Sequence, residues 1–445
     1  MKSRPGGGHV AVVGAGFSGT MLAVHLLRQG LKVTLIDRSG RFGEGLAYST
    51  RETIHLLNVP AAKMSAFPDD PRHFARWLED RGEGDGTSFA PRRTYRAYLA
   101  EIFQVEGSAA NCVHDTAVAI ADGKLRLASG SSIECDAAVI AAGNLGPAPV
   151  PRLGEAAPLC IDDPWSPDGR AALSRLARQD GDLLLVGTGL TMVDTVLSLE
   201  SQGFAGRVIA ISRRGLLPRA HFTTASIDIE LPASLRLADL LRWTRSHAGA
   251  ANWTAVIDAL RPITAKIWQS WSGRERSRFL RHLRPWWDVH RHRIAPQIWA
   301  QLDGLRKGGL SICAGRIVGG DGTSVRIRRR GATATETIRT VGIVNCTGPR
   351  GDIRAAADPL LDSLLANGMA RTDDFGLGLE VDDQCRVSHR LYAVGPMTRG
   401  TFWEIVAVPD IRGQVQRLAA TIAADLSQAA HASAWHGAPA ARYAG

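Results

Sequence analysis

Three glycines and an aspartate carry the first recognisable chemistry of this chain. Gly14, Gly16 and Gly19 form a G-x-G-x-x-G run, and Asp37 follows 21 residues after Gly16. Gly14 suits a tight turn, Gly16 lets backbone approach a pyrophosphate, and Gly19 permits close packing of helix on strand. An acid at the Asp37 spacing binds an adenosine ribose. Ser18 inside the loop, Arg38 beside the acid, and Gly143 and Gly395 at two later strand ends are assigned to the same dinucleotide site. The competing reading is a plain tight turn. The apolar run His9–Val13 before the loop and the helical stretch through Gln29 after it argue against that.

A second loop repeats the idea less completely. Gly187 and Gly189 follow the apolar run 182–186, but Met192 stands where the third glycine belongs. The paired strand ends in Ser212, Arg213 and Arg214, with no acid at the ribose position. A carboxylate there would repel a 2′-phosphate, whereas a guanidinium pairs with it bidentately. The first loop is therefore expected to hold FAD and the second NADPH, in preference to NADH. The alternative for Arg213 and Arg214 is solvated surface charge, since all but six of the 53 basic residues are arginine.

Around these loops the elements fall into a pattern. Each loop sits in a β-α-β unit, and strand-like runs at 137–143 and 341–348 both end in glycine. Seven of the eleven tryptophans lie between 222 and 300, in a segment with helical periodicity and few strand signals. The expected fold class is α/β: two Rossmann-like dinucleotide-binding domains in a glutathione-reductase-like architecture, with a helical insertion. The expected bounds are 1–158 for the first part of the FAD-binding domain, 159–221 and 301–340 for the NADPH-binding domain, 222–300 for the insertion, and 341–445 for the second part of the FAD-binding domain.

Further blocks are Gly43–Thr50, His55–Pro60, Met64–Pro68, His73–Leu78, Trp287–Arg293 and Gly400–Glu404. With the two loops, they resemble an FAD/NAD(P)-binding family among the two-dinucleotide flavoproteins, on the side of the flavin-dependent N-hydroxylating monooxygenases. That resemblance implies NADPH reducing FAD, a C4a-hydroperoxyflavin, and oxygenation of a small nucleophile: an amine or amino acid, an acidic, aspartate-like one among the candidates. It also implies Asn58, Met64, Ser65 and Thr401 near the flavin, against a purely turn-forming role for those loop residues. Related flavoproteins carry an aspartate after the last strand's glycine; here it is Pro396. Alternatives are an NAD(P)H-dependent flavin reductase or dehydrogenase without oxygen insertion, and a non-catalytic flavin sensor.

Composition narrows the classes. The net charge is +10, yet no nucleic-acid-binding signature is present. Nothing resembles a signal peptide or a membrane span, so a cytoplasmic setting is expected. None of the six cysteines forms a C-x-x-C pair, which argues against a disulfide reductase and against a zinc site, so no metal is expected. The segment 274–293 holds seven arginines and three histidines. Arg291 and Arg293 are candidate ligands for an anionic substrate; the alternatives are a solvated helical face or a contact between subunits.

Overall fold

The computed structural model describes residues 8–153, 159–222, 230–249, 253–321 and 323–429. Val10, Val12, Val33 and Leu35 alternate inward in their strands, and all four are almost fully buried. His9–Val13 pairs in parallel with Lys32–Asp37 on one side and with Ala137–Ile140 on the other. Such strands are covered on both faces, which is why they read as continuous apolar runs. Leu391–Ala393 extends this sheet in parallel, Asn111–His114 closes its far edge, and Arg386–Ser388 adds an antiparallel edge strand. Helices Phe17–Arg28 and Val408–Ala429 pack together on one face.

A second sheet, of seven strands, has Leu183–Val186 and Val208–Ser212 in parallel at its centre. Leu310–Asp321 pairs in parallel with Val208–Ser212 along its first half, then turns into an antiparallel ribbon with Ser324–Arg329. The strand Gly342–Asn345 also belongs here, pairing with Leu183–Val186. The expected bound at 341 is thus corrected: the chain returns to the first sheet only after Asn345. An apolar run ending in glycine specifies a strand but not its partner, and both sheets offered one.

The two connections between sheets run side by side. Asn345 Nδ2 donates to Ala148 O at 2.8 Å, and the Arg350 guanidinium donates to Pro147 O.

From 237 onward the described part of the segment between the strands at 212 and 310 is a series of helices joined by short turns, with one bridge from Ile294 to Ala220. Its last helix, Pro296–Gly308, lies across the expected bound at 300. This helix buries Ile298 and Leu302 in the second sheet's core. The helices before it do something else. Leu240, Leu260, Ile267, Trp268, Trp271 and Phe279 form a core with Leu377 and Trp403, which belong to the chain's return to the first sheet. The insertion interrupts one dinucleotide unit and packs on the other.

Candidate functional site

The first glycine loop is built to bring backbone close to a ligand. Gly14 has φ +105°, and a Cβ there would stand 2.5 Å from Ala141 O. A Cβ on Gly19 would overlap Gly14 O. Gly16 begins the helix Phe17–Arg28, which has neither a side-chain cap nor an acidic residue in its first turn. Its free N–H groups and positive dipole end are therefore available to an anion. Gly45 closes the other wall of the loop: a Cβ on it would lie 2.7 Å from Gly16 Cα.

Asp37 ties this loop to the end of its strand. Ala15 N donates to one carboxylate oxygen at 2.8 Å, and Ser39 N and Oγ donate to the other at 2.8 and 2.6 Å. The carboxylate retains further lone pairs for a ribose. Arg38 is exposed. Ser18 is buried beneath Gly395, whose hypothetical Cβ would meet Ser18 Oγ at 2.5 Å. Gly143 faces open space.

The second loop repeats the first. Gly187 has φ +119°, and its missing Cβ would overlap Cys346 O, as that of Gly14 would crowd Ala141 O. Gly189 faces open space and begins the helix Leu190–Ser201, again uncapped and without an acid in its first turn. Met192 is fully buried in the second core. Ser212 is spent on loop structure: its Oγ lies 2.9 Å from Thr188 Oγ1 and accepts from Gly215 N at 3.0 Å. Arg213 is exposed, and Arg214 is half-buried with a long hydrogen bond to His282 O. The residues present fit two dinucleotides: two uncapped helix starts, each beside a glycine with no side chain in the way.

Side chains that the sequence did not single out join the two units. Arg92 Nη2 lies 2.8 Å from Asp194 Oδ2, and both side chains are nearly buried. The ring of His55 is buried, with Nδ1 2.8 Å from Thr50 Oγ1 and Nε2 within hydrogen-bond distance of Asp194 O and Ser198 Oγ. The Ser198 hydroxyl donates to Glu52 at 2.7 Å. Asp194 and Ser198 are four residues apart, so they share one face of the helix that follows the second loop. Nearby, His221 Nε2 donates to Asn58 O at 2.8 Å, which places Asn58 where the two units meet. Burial lowers the His221 pKa to about 4, so that ring is neutral and suits the donor role.

The other flavin-proximal candidates are tied into structure. Met64 is buried in the first core. Ser65 Oγ donates to Phe67 O and Asp70 O, closing a turn. Ser65 O accepts from Arg412 Nη1 at 3.0 Å, which fixes this turn against the helix Val408–Ala429. Thr401 Oγ1 donates to Val381 O at 3.1 Å. Beyond Pro396, Gln414 organises the strand end: its Oε1 accepts from Gly395 N at 2.8 Å, and its Nε2 donates to Thr398 Oγ1 at 2.9 Å.

The substrate expectation for Arg291 and Arg293 is corrected. Arg293 is 4% exposed and donates to Asp258 through both Nη atoms. Arg291 stands 3.3 Å from Glu404 and 3.3 Å from Asp410, and burial lowers its pKa. A guanidinium already held by carboxylates in a low-dielectric interior has no charge to spare for a ligand. Glu404 collects further partners: Trp287 Nε1 donates to it at 2.7 Å, and His292 lies 3.8 Å away.

The turn that aims Glu404 is strained. Trp403 has φ +53° and ψ −73°, and Glu404 N donates to Phe402 O at 2.7 Å, the signature of a γ-turn. Trp403 is thereby driven into the insertion and Glu404 toward Arg291. Arg399 lies over the Trp403 ring at 4.7 Å, and burial, followed by the Arg284 charge, lowers its pKa to about 10.

Beside this cluster is a cavity of about 470 Å³, formed by the insertion and the first unit. Lys63, Arg261 and Arg412 line it together with Glu404 and Asp410. Arg261 is engaged by Asp410 at 3.3 Å, whereas Lys63 is exposed. The sequence analysis did not single out Lys63; the scarcity of lysine, six in all, is the one signal that sets it apart, and its relation to residues 261 and 412 is purely tertiary. Among the described residues, no group of three or more His, Cys, Asp or Glu could hold a metal ion, and no helix is long and apolar enough to cross a membrane.

Residues 11–145 match the family model described as FAD-NAD(P)-binding. An uncharacterized protein of Mycobacterium tuberculosis is 22% identical, over 90% of each chain. L-lysine 6-monooxygenase from Pseudomonas syringae superposes with a TM-score of 0.64 at 17% identity, covering 94% of this chain and 99% of that one. The ornithine N-hydroxylase of Kutzneria sp. 744, solved with reduced FAD, NADP+ and L-ornithine, superposes with a TM-score of 0.63 at 16% identity, covering 94% and 99%. The architecture is that of the two-dinucleotide-binding-domain flavoproteins, with an FAD-NAD(P)-binding domain at residues 11–145.

Proposed function

We propose that this chain is an FAD- and NADPH-dependent monooxygenase that hydroxylates the nitrogen of a small anionic amine or amino acid, aspartate-like in charge. The observation that carries this reading is the repeated loop geometry: Gly14 against Ala141 and Gly187 against Cys346. A sensor protein has no need of a second open, uncapped dinucleotide loop. Of the solved neighbours named above that share the fold, one is a monooxygenase and the other an N-hydroxylase by name, both of amino acids. FAD, when bound, supplies the redox and oxygen chemistry, and the protein supplies binding, orientation and exclusion of water.

The chain's own residues have the following roles. The Phe17–Arg28 helix start and Gly16 hold the FAD pyrophosphate, with Asp37 on the ribose and Arg38 at the rim. Ser18 and Gly395 shape the floor, and Gly143 leaves room above it. Gly187 and Gly189 hold the NADPH pyrophosphate, and Arg213 and Arg214 take its 2′-phosphate, with Ser212 keeping the loop in shape. The Arg92–Asp194 and His55–Ser198 contacts hold the NADPH helix at a fixed distance from the first unit. Asn58 stands where the two units meet, and Met64 and Ser65 back it from within the first unit, Met64 in its core and Ser65 in a turn held by Arg412. Lys63 and Arg412 give the adjoining cavity its attraction for a carboxylate.

The test is anaerobic reduction of the purified holoenzyme with NADPH, followed by mixing with oxygen in the presence of candidate amino acids. Hydroxylamine product coupled to NADPH consumption supports the proposal. Stoichiometric peroxide with every amine tested would instead identify a reductase that does not insert oxygen.

A further inference from the structure

The strand end at 212–214 is not closed by its own unit. The Arg214 guanidinium reaches into the helical insertion and donates to His282 O at 3.4 Å. That carbonyl lies in an irregular stretch: Phe279–Leu283 is a single π-turn between the helices Gly273–Arg278 and Arg284–Arg291. Pro285 accounts for it. Proline has no N–H to give Arg281 O, four residues earlier, and its ring crowds that carbonyl, so regular α spacing is lost ahead of it. Single π-turns recur at functional sites. This one stands against the strand end to which the 2′-phosphate of NADPH is assigned above.

The basic residues around this contact fall into two groups. Arg276 donates to Trp268 O and Gln269 O, and Arg284 stands 3.4 Å from Asp288. Arg274, Arg278, Arg281 and His282 are exposed, and none of them forms an ion pair or a side-chain hydrogen bond among the described residues. Arg274, Arg278 and His282 recur at four-residue spacing and share a face. Arg281 adjoins the residue whose carbonyl holds Arg214. The acids of the same segment are already engaged: Glu275 accepts from Leu237 N and from the Ser272 hydroxyl, and Asp288 is held by Arg284. On the other side of the contact, Arg213 is exposed and likewise without an ion pair among the described residues. Cations gathered in this way repel one another, whereas a phosphomonoester of nearly two negative charges placed among them is attracted by all.

We infer that the π-turn of the insertion is the second wall of the NADPH 2′-phosphate site, and that Arg278, Arg281 and His282 supply its charge together with Arg213 and Arg214. This rests on the assignment of the strand end to the 2′-phosphate and extends it to a separate element. The insertion packs on the first unit through Trp268 and Trp403. A 2′-phosphorylated nucleotide therefore ties the second unit to the insertion, and through it to the first unit. A nucleotide without that phosphate leaves the Arg214 contact as the only tie at this point.

ADP-ribose 2′-phosphate and ADP-ribose differ in the 2′-phosphate alone, and bound FAD keeps both out of the first loop. Calorimetric titration of the oxidised holoprotein should show the phosphorylated probe binding roughly 100-fold tighter, the factor expected of a few charge-assisted hydrogen bonds. The combined variant Arg278→Ala, Arg281→Ala, His282→Ala changes three exposed helical positions that accept alanine readily. It should cut that ratio about tenfold or more, with ADP-ribose affinity, FAD content and melting temperature unchanged. Hydrogen exchange should show the backbone of 279–284 protected by the phosphorylated probe and not by ADP-ribose. Two results would overturn the inference while sparing the strand end: a full ratio in the triple variant when Arg213→Ala, Arg214→Ala has lost it, or no protection of 279–284. Equal affinities for the two probes in the unmodified protein would overturn both assignments. None of these readouts involves turnover or oxygen.

Discussion

Arg92 and Asp194 lie 2.8 Å apart across the contact between the two dinucleotide units, with side chains only 13% and 10% exposed. Arg92 N also donates to His55 O and its Nε to Leu56 O, so the guanidinium is braced before it meets the carboxylate. Asp194 sits one turn into the helix that the second glycine loop opens. The pair therefore connects the position of the second glycine loop to the segment 55–58.

Removing one partner should be worse than removing both. Arg92→Ala leaves a nearly buried carboxylate uncompensated and should cost about 2–4 kcal/mol. The double variant Arg92→Ala, Asp194→Ala should recover part of that loss. Thermal denaturation of the unmodified protein, Arg92→Ala, Asp194→Ala and the double variant gives the coupling; strictly additive losses would show that the pair contributes nothing specific.

Gly16→Val should fold and lack flavin. Gly16 has φ −73°, which any residue adopts, and its nearest neighbour for a Cβ is Gly45 Cα at 3.6 Å. The added methyl groups would occupy the space a pyrophosphate must enter. Circular dichroism should stay near that of the unmodified protein while flavin absorbance in the purified sample falls at least tenfold. A full complement of FAD in this variant would refute the loop assignment.

The preference for NADPH should rest on Arg213 and Arg214. Each charge-assisted hydrogen bond is worth on the order of 1.5–3 kcal/mol. Replacing both with alanine should lower kcat/KM for NADPH by about 100-fold or more and leave that for NADH almost unchanged. Equal rates with the two cofactors in the unmodified protein would remove the basis for this assignment.

Lys63→Ala should act on the substrate alone. Lys63 is exposed, so its loss should leave the fold and the FAD content intact. The KM for an anionic amino acid should rise about fivefold or more, and the effect should shrink as salt is added. An unchanged KM would locate the substrate elsewhere than the cavity of Lys63 and Arg412.

Acid should loosen the helix Val408–Ala429 at a defined place. Asp425 accepts from Arg386 Nε and Nη2, both at 2.8 Å, and from Tyr392 Oη at 2.6 Å. The Arg386 hydrogen bonds hold its carboxyl below the ordinary range. A depressed carboxyl stabilises the fold at pH above its unfolded pKa of about 3.9, and that contribution is lost as pH falls through the folded value. Asp425→Asn should therefore cost about 1–2 kcal/mol near neutral pH and progressively less below pH of about 4. Urea melts at both pH values read the difference; a penalty that does not vary with pH would point to packing instead of charge.

Both glycine loops were legible in the sequence because each is made within one β-α-β unit. The turn, the uncapped helix start and the acid or arginine at the next strand end are set by neighbours a few tens of residues away. The helical character of the insertion was legible for the same reason, since periodicity is local. The sheet that takes Gly342–Asn345 was not, because an apolar strand pairs equally well with any buried edge until tertiary structure selects one. Arg291 and Arg293 looked available because charge carries no address. Arg291 meets Asp410 119 positions along the chain, and Trp268 finds its acceptor at Gly400 across 132 positions. Such partners become visible only when the insertion folds back on the first unit. Burial then decides which cations must be neutralised internally and which, like Lys63, stay free to meet a ligand.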